Sequence, residues 1–187
     1  MLWAISLDLV SVLFGGVIAL LPIFAEDILK NGPEGLGYLR AAPSIGALLT
    51  MLALTKFPPT QHAWRNMLLA VAGFGAFTLL FAFSNNIALS LFALAMTGAC
   101  DSISVVIRQT ILQLYPPENM RGRIAAVNGM FVSSSNELGA FESGLAAKYF
   151  GTIMATVLGG GITLAIVALS WLKTQDLFGV NITEKER

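Results

Sequence analysis

A small set of charged side chains stands inside long apolar runs of this sequence. Asp8, Arg40, Asp101, Arg108, Glu137 and Glu142 all have mainly apolar neighbours. In such surroundings a charge costs about 2.5–3.5 kcal/mol on insertion scales, so it needs a reason. A carboxyl group withdrawn from water favours its neutral form, which suits it to exchange a proton. A guanidinium can instead serve as the partner of such a carboxylate. Asp101 and Arg108 are seven residues apart, which puts them on one helix face two turns apart. Charges near helix ends have a plainer use, because long side chains can snorkel to water. That reading fits Asp8, Arg40 and Arg108 better than Asp101 and Glu137. Away from the ends of these runs the acids outnumber the bases.

Enzyme chemistry has little foothold. HExxH, GxSxG and paired-histidine patterns are all missing from the sequence. Cys100 and His62 are single residues of their kind, so neither a Cys-based metal cluster nor an intrachain disulfide can form. No catalytic residue, metal or cofactor is expected. A formal net charge of zero excludes nucleic-acid binding driven by bulk positive charge.

The elements that must position these charges follow from composition. Of 187 residues, 56% are hydrophobic and 12% charged, and the mean hydropathy is +0.75. Soluble domains carry roughly 25% charged residues. A bilayer removes the need for that missing surface. Helices must then satisfy their own backbones, and about 20 apolar residues cross the hydrocarbon layer. Six stretches qualify, at 3–24, 36–57, 66–83, 87–114, 124–150 and 152–172. The expected fold is therefore all-α, a polytopic bundle of six transmembrane helices over 1–173, followed by a polar cytoplasmic tail at 174–187. Turn-forming groups such as Asn31-Gly32-Pro33, Pro58-Pro59, Ser84-Asn85-Asn86 and Pro116-Pro117 separate the stretches. The first stretch has no basic n-region and reads as a retained span, not a cleaved signal peptide.

Basic residues set the orientation. With both termini cytoplasmic, Lys56, Arg65, Arg108, Arg121, Arg123, Lys173, Lys185 and Arg187 lie on or near the inside, against Lys30, Arg40 and Lys148 outside. The expected location is the inner (plasma) membrane, with the lipid bilayer as the first partner. Stretches 67–83 and 152–172 carry no charge and should be peripheral, whereas the first, fourth and fifth should be interior. At 1.5 Å per residue Asp8 lies about 8 Å from the cytoplasmic side, with Asp101 near a similar level, Glu137 about 20 Å in and Glu142 about 27 Å in. The run Ser133-Ser134-Ser135-Asn136-Glu137 is too polar to face lipid and serves either as glue between helices or as the wall of an aqueous path. Asp101, Glu137, Arg108, Asp8, Glu142 and Asn136 are therefore the candidates for cavity or proton-coupling roles. Asp8-Leu9-Val10-Ser11-Val12 also echoes Asp101-Ser102-Ile103-Ser104-Val105, at the heads of two three-helix sets.

Several blocks carry a family resemblance. They are Leu21-Pro22-Ile23-Phe24-Ala25, the run Gly35-Leu36-Gly37-Tyr38-Leu39-Arg40-Ala41-Ala42-Pro43, Ser104-Val105-Val106-Ile107-Arg108-Gln109-Thr110, Arg121-Gly122-Arg123-Ile124-Ala125 and Ser135-Asn136-Glu137-Leu138-Gly139. Together they resemble the C-terminal six-helix half of a major facilitator superfamily transporter, in the drug and siderophore efflux branch of enterobactin exporters and transmembrane secretion effectors. The resemblance implies a secondary active, proton-coupled antiporter of small amphipathic molecules. Its first and fourth helices would line a central cavity, its second and fifth would face the other half, and its third and sixth would be outer supports. Arg40, Arg121 and Arg123 become candidates for gating or interface contacts. The sequence does not contain an N-terminal half, so the expected partners are a small-molecule substrate and either that missing half or a second copy. A fragment or truncation is the expectation, and a non-transporting membrane remnant or packing subunit is the rival reading.

Overall fold

The computed structural model describes residues 17–56, 63–114 and 117–173. Asp8 and the tail at 174–187 lie outside the described residues. Helix α1 runs Val17–Ile23 and passes into a π-helical turn at Phe24–Ile28. Then follow α2 Gly32–Lys56, α3 Ala63–Ala82, α4 Ile87–Leu114, a 3-10 turn Glu118–Met120, α5 Arg121–Phe150 and α6 Thr152–Lys173. The described residues contain no strand, and the molecule is an all-α membrane bundle. Helices α2, α3, α4 and α6 are long and apolar enough to cross a membrane. Helix α5 has the length, at 30 residues, but its serine-rich centre lowers its hydropathy.

The helices alternate in direction, so each turn lies at one of two ends. One end gathers an apolar cluster of Leu20, Leu21, Phe24, Leu39, Phe81 and Leu94. There the Phe24 and Phe81 rings tilt together with centroids 4.5 Å apart. The opposite end gathers Trp64, Met67, Leu68, Val71, Ile107 and Val167. That second end also carries Lys56, Arg65, Arg121, Arg123 and Lys173 at helix termini, all exposed. We call it the basic end.

Small residues set the spacing between helices. Helices α2 and α4 touch backbone to backbone. A Cβ added at Gly46 would overlap the Ala95 carbonyl oxygen, and one added at Gly98 would overlap the Pro43 carbonyl oxygen. Helices α3 and α6 meet less closely. A Cβ on Gly75 would lie 3.2 Å from the Gly160 oxygen, and one on Gly160 would lie 3.1 Å from the Gly75 oxygen. Without a hydrophobic drive between helices in lipid, such close packing is the main attraction available. Hydroxyls inside the helices turn back on their own backbone, as Thr163 donates to the Gly159 carbonyl at 2.9 Å and Ser102 to that of Gly98 at 2.9 Å.

The sequence expectation of a peripheral α3 differs from the structure. Helix α3 buries ten residues, whereas α5 buries Asn128, Gly139 and Ser143. The reason is steric. Helix α3 packs against α4 on one side and α6 on the other, and its lack of charge suits it to that sandwich. Helix α5 packs against α6 and α1 and leaves its polar centre open.

The turns are built locally. Asn86 caps α4, its Oδ1 accepting from the Ala88 backbone N–H at 2.9 Å. Ser84 and Ser90 hydroxyls meet in the buried turn at 3.0 Å. Gly151 alone joins α5 to α6, with φ +85°, and its N–H donates to the Ala147 carbonyl at 2.9 Å.

Gly46→Ala and Gly98→Ala should each destabilise the bundle by about 1–3 kcal/mol, the usual cost of overpacking. Gly37→Ala, with nothing within 4 Å of the added Cβ, should leave it unchanged or slightly stabilised. Thermal unfolding in detergent, followed by circular dichroism, makes the comparison. Asn86→Ala should lower stability by about 1 kcal/mol through loss of the helix cap, read by the same assay.

Candidate functional site

Between the two apolar clusters lies a cavity of about 90 Å³. Val17 and Ile18 of α1, Pro43 of α2, Phe74 and Thr78 of α3, and Leu94, Thr97, Gly98 and Asp101 of α4 line it. Among the described lining residues Asp101 is the one that can ionise. Three α4 residues place it there: Leu94, Thr97 and Asp101 follow the three- and four-residue steps that keep side chains on one helix face. Asp101 is exposed on this wall, and it stands at the middle of α4, about 20 Å from either end at the helical rise of 1.5 Å per residue. That is deeper than the level of about 8 Å expected from the sequence, although the helix keeps the expected bounds, Ile87–Leu114.

The other polar groups of the cavity are hydroxyls. Thr78 donates to the Phe74 carbonyl at 2.9 Å and Thr97 to the Leu94 carbonyl at 2.7 Å. Their protons are thus committed to the helix backbone. Each oxygen keeps lone pairs that a ligand hydroxyl or ammonium can use. The Gly98–Pro43 contact forms part of the same wall, so the helix crossing shapes the cavity directly.

The remaining candidates are dispersed. Arg108 is buried at 4% exposure, next to Ile107 of the basic-end cluster and two turns beyond Asp101. Asn136 and Glu137 are exposed on α5, and Glu142 is half-buried. No described α5 residue lines the cavity, so the structure does not bring Glu137 to Asp101. Arg40 is exposed on α2, and Arg121 and Arg123 are exposed at the basic end. Asp8 lies outside the described residues.

Sequence reasoning missed Thr78, Thr97 and Asn128. Thr97 had a signal, since it precedes Asp101 by one helical turn. Thr78 had none beyond a lone hydroxyl in an apolar run. Asn128 is 6% exposed, and its Oδ1 has no hydrogen-bond partner among the described residues. A buried acceptor left so costs about 1–3 kcal/mol.

Residues 8–178 match the family described as transmembrane secretion effector, a span that covers all the described helices. The chain belongs to that family. The family is a branch of the major facilitator superfamily. Over 150 residues the chain is 27% identical to the multidrug efflux pump Tap of Mycolicibacterium fortuitum. The match takes in 80% of this chain and 36% of that protein, so the chain spans about a third of its relative. No solved structure matches the chain.

The open face of α5 gives a direct test. In a Cys100→Ser background, Asn136→Cys should react with a membrane-impermeant maleimide at least tenfold faster than Ser143→Cys, which is buried. Labelling followed by mass spectrometry of the chain in nanodiscs measures the ratio.

Proposed function

We propose that these six helices are the C-terminal half of a secondary active exporter of small amphipathic molecules, of drug or siderophore type, coupled to the proton gradient. The observation that carries the reading is Asp101, an ionisable group at the middle of a transmembrane helix on the wall of a cavity. An intramembrane carboxyl group in that position is a functional feature by default. Membership of the transmembrane secretion effector family supports the reading, as does likeness to a protein called a multidrug efflux pump.

Proton coupling needs a group that holds either a proton or the substrate, but not both. A carboxyl at the membrane midplane meets that need. When Asp101 carries a proton the cavity is neutral and suits an apolar body. When it has released the proton, the carboxylate with Thr78 and Thr97 offers acceptors to a cationic or hydroxyl-bearing molecule. Export follows if the cavity opens alternately to the two sides, which takes two bundles rocking against each other. The exposed faces of α2 and α5, with Tyr38, Ile45 and Leu48 on one and Met130, Phe131 and Phe141 on the other, suit a second six-helix bundle. An N-terminal half is the preferred occupant and a second copy the other. On this reading Asn136 and Glu137 face the cleft between the bundles. The basic end faces the cytoplasm of the inner membrane, following the distribution of Lys and Arg, with both termini on that side.

The test is efflux from proteoliposomes holding the twelve-helix assembly. Asp101→Asn should lower export driven by a pH gradient at least tenfold while leaving the amount of inserted protein unchanged. Glu137→Gln should lower it by a smaller factor. Wild-type rates and an unaltered pH profile in both variants would remove these carboxyl groups from the mechanism.

A further inference from the structure

A second, larger cavity opens at the end of the bundle opposite the basic end. It is an open groove of about 570 Å³, formed where the π-helical turn after α1, the end of α3 and the α5–α6 bend converge. Ile23, Phe83, Phe150, Ile153 and Met154 make its apolar walls, and all five are exposed, from 38% at Ile23 to 68% at Phe83. Asp27 is the one described lining residue that carries a charge. The volume falls in the range of about 300–1,000 Å³ that small-molecule sites occupy.

Position and charge together define what fits. The groove lies at helix ends, where the hydrocarbon layer gives way to water, so its walls meet acyl chains while Asp27 meets headgroups. We propose that this groove binds a single-tailed amphipathic amine, with its ammonium on the Asp27 carboxylate and its tail along Phe83, Phe150 and Met154. A zwitterionic phospholipid fits less well. Its phosphate would come against Asp27 with no basic residue in the described lining to receive it, and the neighbouring Glu26, also exposed, adds to the repulsion. A neutral alcohol can donate one hydrogen bond to the carboxylate but brings no opposite charge to it, so it binds more weakly than an ammonium. The groove is separate from the cavity around Asp101, with no residue in common, so this binding does not rest on the export reading.

The test uses the 187-residue chain in phosphatidylcholine nanodiscs and a dodecylamine with a diazirine in its tail. Labelling should saturate, map by mass spectrometry to residues 150–157, and be competed by dodecylammonium but not by dodecanol. Asp27→Asn should raise the half-saturating concentration at least tenfold, and Asp27→Glu should keep it near the wild-type value. Met154→Trp, which fills the groove without touching the charge, should weaken labelling of the same peptide by a similar factor. Equal competition by the alcohol, or unchanged labelling in both Asp27→Asn and Met154→Trp, would overturn the proposal. Displacement of the amine by phosphatidylethanolamine added to the discs would also overturn it and give the groove to a lipid.

Discussion

The crossing of α2 and α4 is the contact on which the rest depends. Gly46 against Ala95, and Gly98 against Pro43, bring two backbones closer than any side chain would allow. Dispersion falls away steeply with separation, so removing side chains from this seam gains contact along both helices. The seam also holds Pro43 and Gly98 on the wall of the central cavity. Packing and site are thus one construction: the residues that join the helices also place Asp101 opposite α1 and α3.

The fold was legible because the bilayer simplifies the code. Long apolar stretches between Asn, Gly and Pro groups give helices and turns with few alternatives, and the six-helix class followed from them. Burial was less legible. Absence of charge does not by itself send a helix to the rim, since α3 has none after Arg65 and is the most enclosed of the described helices. What encloses it is α4 on one side and, through Gly75 and Gly160, α6 on the other, and the partner of a glycine cannot be read from one sequence. Asp101 stood out as a charge at depth, whereas Thr78 joined it only through the approach of α3 to α4. Glu137 carried the same kind of signal as Asp101, yet α5 turns it away from the cavity.

Helix α5 is the polar exception among the long helices. It is the least apolar of the long helices and buries only a few small or polar residues. Its serine, asparagine and glutamate side chains would be costly against acyl chains. Helix α2 is also largely uncovered, but with Tyr38, Ile45, Leu48, Leu49 and Leu52 on show. The two open faces therefore differ in what they tolerate. One suits lipid or an apolar surface, and the other demands water or a polar neighbour.

The bend at Gly151 has a mechanical meaning. A junction of one residue, held by Ala147 on one side and by the N–H of Ala155 on the other, leaves no slack between α5 and α6. The ends of α5 and α6 must therefore move together at this joint, and α6 in turn abuts α3 along the Gly75–Gly160 seam. These three helices are therefore joined in series, whereas α1 and α2 meet through a longer connection, a π turn and Lys30 in a left-handed backbone conformation.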